Sequence, residues 1–302
     1  MVRLFATDMD GTLLNDKSMI TERTKQAIIK FKQMGGTFVI NTGREFSNAK
    51  KELDIAGICC DLICANGAVI YDRYGDVIEE HPLSTELARE IVDILDFYEM
   101  YVDIYTNIGR VSIVPAFEVA KYYQEQVLPA YEKDGKLYFQ MANALKEVFD
   151  QIIYFDGISQ IFHSDIKIYK ICSSSVNIER MKKVRKKCAM LSQVAMTYTS
   201  EYDIELTHEE AQKGSSLLHY AKRRNILIED ILVVGDSEND RSALSLPFGR
   251  TVAMGNATTE IKDISKEICG TNQNDAVACL LEQVCMEWEA QKKESYWHKR
   301  AV

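Results

Sequence analysis

Proline is scarce, at 4 of 302 residues, and the 15 glycines follow no period, which excludes collagen-like, proline-rich and linker-like chains. No run approaches the ~18 apolar residues of a membrane helix. The opening Met1-Val2-Arg3-Leu4-Phe5-Ala6-Thr7-Asp8 meets an acid too early for a signal peptide. A cytoplasmic location without a membrane partner is therefore expected. Positive charge is in deficit: 36 Lys and Arg against 45 Asp and Glu leave a formal net charge of -9. That sign argues against nucleic acid as a partner, because phosphate backbones are bound by clustered Lys and Arg. The basic run Lys182-Lys183-Val184-Arg185-Lys186-Lys187 reads as the solvated face of a helix. The 8 cysteines lack paired C-x-x-C spacing, and Cys59, Cys60 and Cys64 have no histidine at a ligand-like distance. They are expected to be reduced and mostly buried. Asn256-Ala257-Thr258 fits a glycosylation acceptor, a chance match in a chain without a secretory signal.

What is present is a globular composition, 46% apolar and 27% charged, in a chain about twice the ~150 residues of one domain. Residues 3–7 form a short apolar run ending at Asp8, and Ala27, Ile28, Phe31 and Met34 recur at helical spacing. Gly35-Gly36 ends that helix. Thr37-Phe38-Val39-Ile40 reads as a buried strand, Arg44–Leu53 as a helix and Leu62-Ile63-Cys64 as another apolar run. The same alternation returns downstream, with a helix at Ser215–Arg224 and strands at Ile231–Val234 and Thr251–Met254. Strands alternating with helices predict an α/β fold with a parallel sheet built from both ends of the chain.

Between them lie Tyr-rich alternating segments at Tyr101–Tyr105, Arg110–Val114, Ile166–Cys172 and Tyr202–Leu206, with helices near Thr85–Tyr98 and Asn177–Leu191. Alternation predicts antiparallel strands with one helix-covered face. Residues 83–208 are therefore expected to form an inserted α+β domain, and residues 1–82 with 209–302 the core. The segment from Met286 is polar apart from Trp288, Tyr296 and Trp297. A surface helix, a partner-binding end and a frayed terminus all fit it.

The chemistry-bearing residues gather at the expected strand ends. Asp8 and Asp10 stand two apart where the first strand stops, a spacing that turns both to one side; a solvated turn fits equally. Open α/β sheets bind ligands at the carboxyl ends of their strands. Asn41-Thr42-Gly43-Arg44 follows the second strand, where Thr42 is either an anion-holding hydroxyl or an N-cap. Gly235-Asp236-Ser237-Glu238-Asn239-Asp240 follows a third strand; the acids there suit Mg²⁺ or cap the next turn. Lys213 precedes a helix start, where a cation opposes the helix dipole.

Taken together and in this order, these segments resemble the haloacid dehalogenase-like hydrolase superfamily and, within it, the Cof-like phosphatases. The resemblance rests on Asp8-Met9-Asp10-Gly11-Thr12-Leu13-Leu14, Thr42-Gly43-Arg44, Asn66-Gly67-Ala68, Lys213-Gly214, Gly235–Asp240 and Val252-Ala253-Met254-Gly255-Asn256-Ala257. It implies a Rossmann-like core with an inserted α+β cap, and a Mg²⁺-dependent phosphatase acting on small phosphorylated metabolites such as sugar phosphates, nucleotides or pyridoxal phosphate. Asp8 is then the nucleophile that forms an aspartyl phosphate, and Asp10 the acid and base. Thr42 and Lys213 hold phosphoryl oxygens, with Gly43, Arg44 and Asn66 toward substrate. Asp8, the Asp10 carbonyl and Asp236 bind the metal, supported by Asn239 and Asp240.

Asn41, Leu246-Pro247-Phe248-Gly249 and Ala276 depart from the family's usual residues, and Thr207–Gln212 before Lys213 is more acidic than usual. Rival readings are a phosphomutase on the same fold and a non-catalytic phosphometabolite-binding regulator. The expected cap aromatics Tyr101, Tyr105 and Tyr122 suit either substrate contact or packing.

Overall fold

A computed structural model describes residues 1–133 and 151–300. Residues 134–150 of the expected insertion, and the side chains of Tyr296 and Trp297, lie outside the described residues. Two sheets carry the fold. The first contains β1 (Leu4–Thr7), β2 (Thr37–Asn41), β3 (Asp61–Cys64), β4 (Val69–Tyr71), β5 (Val77–Glu80), β12 (Ile231–Gly235), β13 (Arg250–Ala253) and β14 (Glu267–Ile268). Its order is β14-β13-β12-β1-β2-β3-β4-β5. β1 lies between β2 and β12 and is parallel to both, with Leu4 opposite Thr37 on one side and Ile231 on the other. The strands of this centre are near-continuous apolar runs because both faces are covered.

The edge departs from the expected parallel pattern. β3, β4 and β5 run antiparallel. The turn between β4 and β5 is too short for the crossover of a dozen or more residues that parallel neighbours need. Asp72 holds it, its Oδ1 accepting the N–H groups of Tyr74 (2.8 Å) and Asp76 (3.0 Å).

The second sheet contains β6 (Asp103–Thr106), β7 (Gly109–Ser112), β8 (Ile153–Tyr154), β9 (Ile168–Ser174), β10 (Val194–Thr197) and β11 (Asp203–His208), in the order β10-β11-β9-β6-β7-β8. Its pairs are antiparallel except β7 with β8. One face lies under α3 (Thr85–Phe97) and the helix Ile178–Cys188. Ile91, Leu95, Ile104, Ile171, Met181, Val184 and Ile204 form its own apolar core. The fold is thus α/β, a Rossmann-like core with an inserted α+β cap; the chain leaves the core sheet after β5 and returns after β11.

Local signals explain the elements around the site. Thr21 caps α1 (Glu22–Gln33), its Oγ1 accepting the Thr24 N–H, and Ala27, Ile28 and Phe31 form the buried stripe. α2 (Phe46–Ala56) starts two residues later than the sequence pattern suggests, because Glu45 is the cap. The basic run Lys182–Lys187 lies on the helix Ile178–Cys188, which buries Met181, Val184 and Cys188 and exposes Lys182, Lys183, Lys186 and Lys187. The 8 cysteines are free: Cys60, Cys64, Cys188 and Cys285 are buried, Cys172 and Cys269 half-buried, and Cys59 and Cys279 exposed. Tyr101 and Tyr122 stack at 4.2 Å, so these two expected cap aromatics are packing residues.

The segment from Met286 belongs to the helix Ala276–Arg300. Trp288 is buried 5.7 Å from the Phe31 ring and fastens this helix to α1. Trp288→Ala should lower stability by about 3–5 kcal/mol, the usual cost of emptying a large aromatic site. Denaturant unfolding with a loss below about 1 kcal/mol would show that the helix is not part of the core.

Candidate active site

Asp8 stands at the carboxyl end of β1, its N–H donating to Val234 O of β12 at 3.1 Å. The chain then turns through Met9–Leu13, with Gly11 at φ 75°. A Cβ on Gly11 would lie 2.5 Å from Asp236 Oδ2, so the turn can press on Asp236 only as glycine. Thr12 Oγ1 and Ser237 Oγ donate to the two oxygens of Asp236 at 2.7 and 2.8 Å.

Lys213 opens the helix Lys213–Arg223 and is buried. Its Nζ donates to Asp8 Oδ1 at 2.8 Å and to Asp240 Oδ1 at 2.7 Å. The second oxygen of Asp240 accepts the N–H groups of Asp236 (2.9 Å) and Ser237 (3.1 Å). Asp8, Asp236 and Asp240 each bring a carboxylate oxygen within 4.8 Å of the others.

One ammonium cannot balance three carboxylates. Burial pushes Asp8 well above the ordinary carboxylate range; Lys213 opposes this, while Asp240 and Asp236 add to it. Asp236 is pushed up to about 6, first by burial and then by the charge of Asp240. Burial alone favours a neutral Lys213 amine, but Asp240 and Asp8 outweigh it and hold the lysine above its ordinary range. Hard oxygen donors with two uncompensated negative charges fit a divalent cation.

Thr42 follows β2 and is buried; its Oγ1 accepts the Arg44 N–H at 3.2 Å, and its own N–H donates to Ile63 O at 2.9 Å. Asn66 joins it: the Asn66 N–H donates to Thr42 O at 3.0 Å, and Asn66 Oδ1 accepts Asn239 Nδ2 at 3.4 Å. Gly43 lets these close, since a Cβ on it would meet Asn66 Oδ1 at 2.8 Å. Thr42, Gly43, Asn66 and Asn239 therefore share one corner.

Asp10 stands outside the acid cluster. Its side chain is 59% exposed, and Arg44 grips both its oxygens, Nε to Oδ2 at 2.7 Å and Nη2 to Oδ1 at 2.6 Å. Arg44 also donates to Asn48 Oδ1 at 2.8 Å, so its guanidinium is spent within the protein.

Sequence reasoning misses several participants. Asn41 Nδ2 donates to Lys213 O at 3.0 Å, tying the end of β2 to the start of the lysine's helix. The cap contributes a buried ion pair between Lys170 and Glu205, and Lys170 Nζ also donates to Gly43 O at 2.7 Å. Glu205 Oε2 accepts Asn66 Nδ2 at 2.7 Å, and Thr197 Oγ1 accepts the same group at 3.2 Å. The available signal is confined to Lys170, a charge within the run Ile168–Cys172; Glu205 merely alternates with Ile204 and Leu206. A cavity of about 290 Å³ opens beside this contact, lined by Glu45, Ser47, Tyr71, Tyr105, Asn107 and Tyr169 among others. None of the clustered acids lines it.

A family model for haloacid dehalogenase-like hydrolases matches residues 5–281. The chain belongs to that family. Among its relatives is phosphatase YwpJ of Bacillus subtilis (strain 168), 27% identical over 285 residues, which cover 94% of this chain and 100% of YwpJ. A second, 5-amino-6-(5-phospho-D-ribitylamino)uracil phosphatase YwtE of the same organism, is 28% identical over 94% of this chain and 98% of its own length. A solved haloacid dehalogenase-like hydrolase from B. subtilis superposes with a TM-score of 0.83 at 27% identity, covering 93% of this chain and 99% of that one. As a haloacid dehalogenase-like hydrolase, the chain carries its acid cluster where this fold places ligands, at the carboxyl ends of β1 and β12.

In chelator, the folded hydrolase keeps the Asp236 proton up to about pH 6, whereas the unfolded chain loses it near the ordinary 3.8. Burying this carboxylate therefore destabilises the chelated protein increasingly as pH rises through that window. Asp236→Asn should stabilise the chelated protein, and the gain should grow by about 1–2 kcal/mol from pH 5 to pH 7.5. Denaturant unfolding at both pH values tests the sign; a gain that shrinks with pH would contradict it.

Lys170→Met leaves Glu205 buried without its cation and should cost about 3–5 kcal/mol. Adding Glu205→Gln should recover at least half of that loss. A double-mutant cycle without coupling would show that the pair is not a unit.

Proposed function

We propose that this hydrolase is a Mg²⁺-dependent phosphatase of small phosphorylated metabolites, with an aspartyl phosphate on Asp8 as the intermediate. The observation that carries the reading is the buried Asp8 carboxylate, held by Lys213 at 2.8 Å beside Asp236 and Asp240. Relatives named as phosphatases, one of them of 5-amino-6-(5-phospho-D-ribitylamino)uracil, support a small phosphate ester as the substrate class.

In this reading Asp8 Oδ attacks phosphorus, the bond to the ester oxygen breaks, and Asp10 gives that oxygen its proton. Asp10 then takes a proton from the water that attacks the phosphoryl-aspartate, and inorganic phosphate leaves. Dividing hydrolysis this way replaces one difficult step by two. Both Asp10 oxygens lie on Arg44 in the structure, so proton delivery requires that pair to open. Lys213 and Thr42 hold phosphoryl oxygens as charge spreads onto them. Asp8, the Asp10 carbonyl and Asp236 would hold Mg²⁺, which when bound neutralises phosphoryl oxygen charge. Asp240 orients Lys213 and the Asp236 backbone. Residues 83–208 act as the cap that selects the leaving group.

Purified Asp8→Asn should lose phosphate release by orders of magnitude while remaining folded, since an amide is isosteric and not nucleophilic. Chelator should abolish release by the wild type and Mg²⁺ restore it, and Asp236→Ala should weaken Mg²⁺ activation more than Asp240→Ala. A panel of phosphorylated metabolites with phosphate readout makes the test; undiminished hydrolysis by Asp8→Asn, or in excess chelator, overturns the mechanism.

A further inference from the structure

Away from the acid cluster, a second group of metal-ligating atoms lies where the chain passes between core and cap. Glu79 lies in β5, His81 follows that strand, and His219 projects from the helix Lys213–Arg223. His81 Nε2 lies 3.0 Å and His219 Nδ1 2.8 Å from the same oxygen, Glu79 Oε1. The three ligand atoms all fall within 4.8 Å of one another. Arg223 sits on the other oxygen of Glu79 at 3.9 Å, leaving Oε1 to the imidazoles.

From these atoms we propose that Glu79, His81 and His219 bind one Zn²⁺-class ion that fastens the two chain crossings between core and cap. Two imidazoles and a carboxylate suit a borderline cation better than Mg²⁺, which prefers oxygen alone. With bonds of ~2.0–2.1 Å, tetrahedral ligand atoms stand about 3.3 Å apart, so the observed separations need only a small opening. The far side of His81 faces a carboxylate, its Nδ1 lying 3.2 Å from Glu210 Oε2. A ring that donates from Nδ1 to a carboxylate presents its Nε2 lone pair to a metal, the usual support of a zinc-binding histidine. Three protein ligands leave one position for water. His219 is 43% exposed and Glu79 21%, so an ion can reach the site from solvent.

The location gives the ion a consequence. Glu79 and His81 precede the cap, while Glu210 and His219 follow it, so the ion would tie the outgoing connection to the returning one. Metal binding here does not depend on the chemistry at Asp8.

The test uses the full chain, reduced, with excess Mg²⁺ to occupy the carboxylate cluster, and Zn²⁺ titrated against a chromogenic chelator. The wild type is expected to take up one Zn²⁺. His81→Ala and His219→Ala should each weaken that uptake by more than about 100-fold, and Glu210→Gln by about 10–100-fold. Circular dichroism checks that the variants stay folded; the exposure of His219 makes its truncation mild. Co²⁺ should give visible bands of nitrogen and oxygen ligation without thiolate charge transfer. In hydrogen exchange, Zn²⁺ should protect residues 79–83 and 208–212 in the wild type and not in His219→Ala. Zinc affinity unchanged in both histidine variants, thiolate bands with Co²⁺, or no protection at the two connections would overturn the proposal.

Discussion

The excess of buried negative charge at the ends of β1 and β12 is the constraint from which the rest of the site follows. Asp8, Asp236 and Asp240 share one ammonium, and that ammonium comes from a helix 205 residues downstream of Asp8. Much of the neighbouring sequence serves to hold this arrangement. Gly11 lets the first turn close on Asp236, Thr12 and Ser237 satisfy its oxygens, and Asn41 anchors the start of the lysine's helix. A site so desolvated is poised to accept positive charge, because every carboxylate there would otherwise be driven toward its neutral form.

The cap solves the opposite problem. Lys170 and Glu205 form a balanced pair, and its spare hydrogen bonds go to Gly43 and Asn66 of the core. Burial by itself would raise Glu205, yet Lys170 holds it below its ordinary range. The contact between the two layers therefore combines a few directed polar bonds, on the sheet face opposite the cap's helices, with the ring of Tyr169, which is buried in the apolar core of the first sheet. The polar bonds lose less on parting than an apolar face does, because water replaces their partners.

Much of this was legible in the sequence because local physics decided it. The apolar runs before Asp8, Thr42 and Asp236 are too short and too uniform for anything but buried strands, and alternation marked β6, β7, β9 and β11. The clustering of Asp8, Lys213, Asp236 and Asp240 followed from placing those ends on one sheet. What escaped were features decided by distant partners. β10 and β8 are short strands stabilised by neighbours, and the β4–β5 hairpin depends on Asp72 folding back on its own turn. The grip of Arg44 on Asp10 could not be read from spacing, since an arginine at a helix start points equally well to solvent. Lys170 carries a legible oddity, a charge inside an apolar run, but Glu205 follows ordinary alternation, and no sequence rule sets the register that brings the two together on the neighbouring strands β9 and β11.

The central strand of the core has its two neighbours on opposite sides of a long insertion, and Thr12 meets Asp236 across 224 residues. Until β12 arrives, β1 exposes one edge of unpaired backbone groups, an invitation to wrong partners. The entropy of closing so wide a loop would weigh on every attempt. The insertion has its own apolar core and brings the residues that flank it together, His81 Nδ1 lying 3.2 Å from Glu210 Oε2. Once folded it acts as a short staple, so the polymer that must be closed to finish the sheet is far shorter than the chain that encodes it.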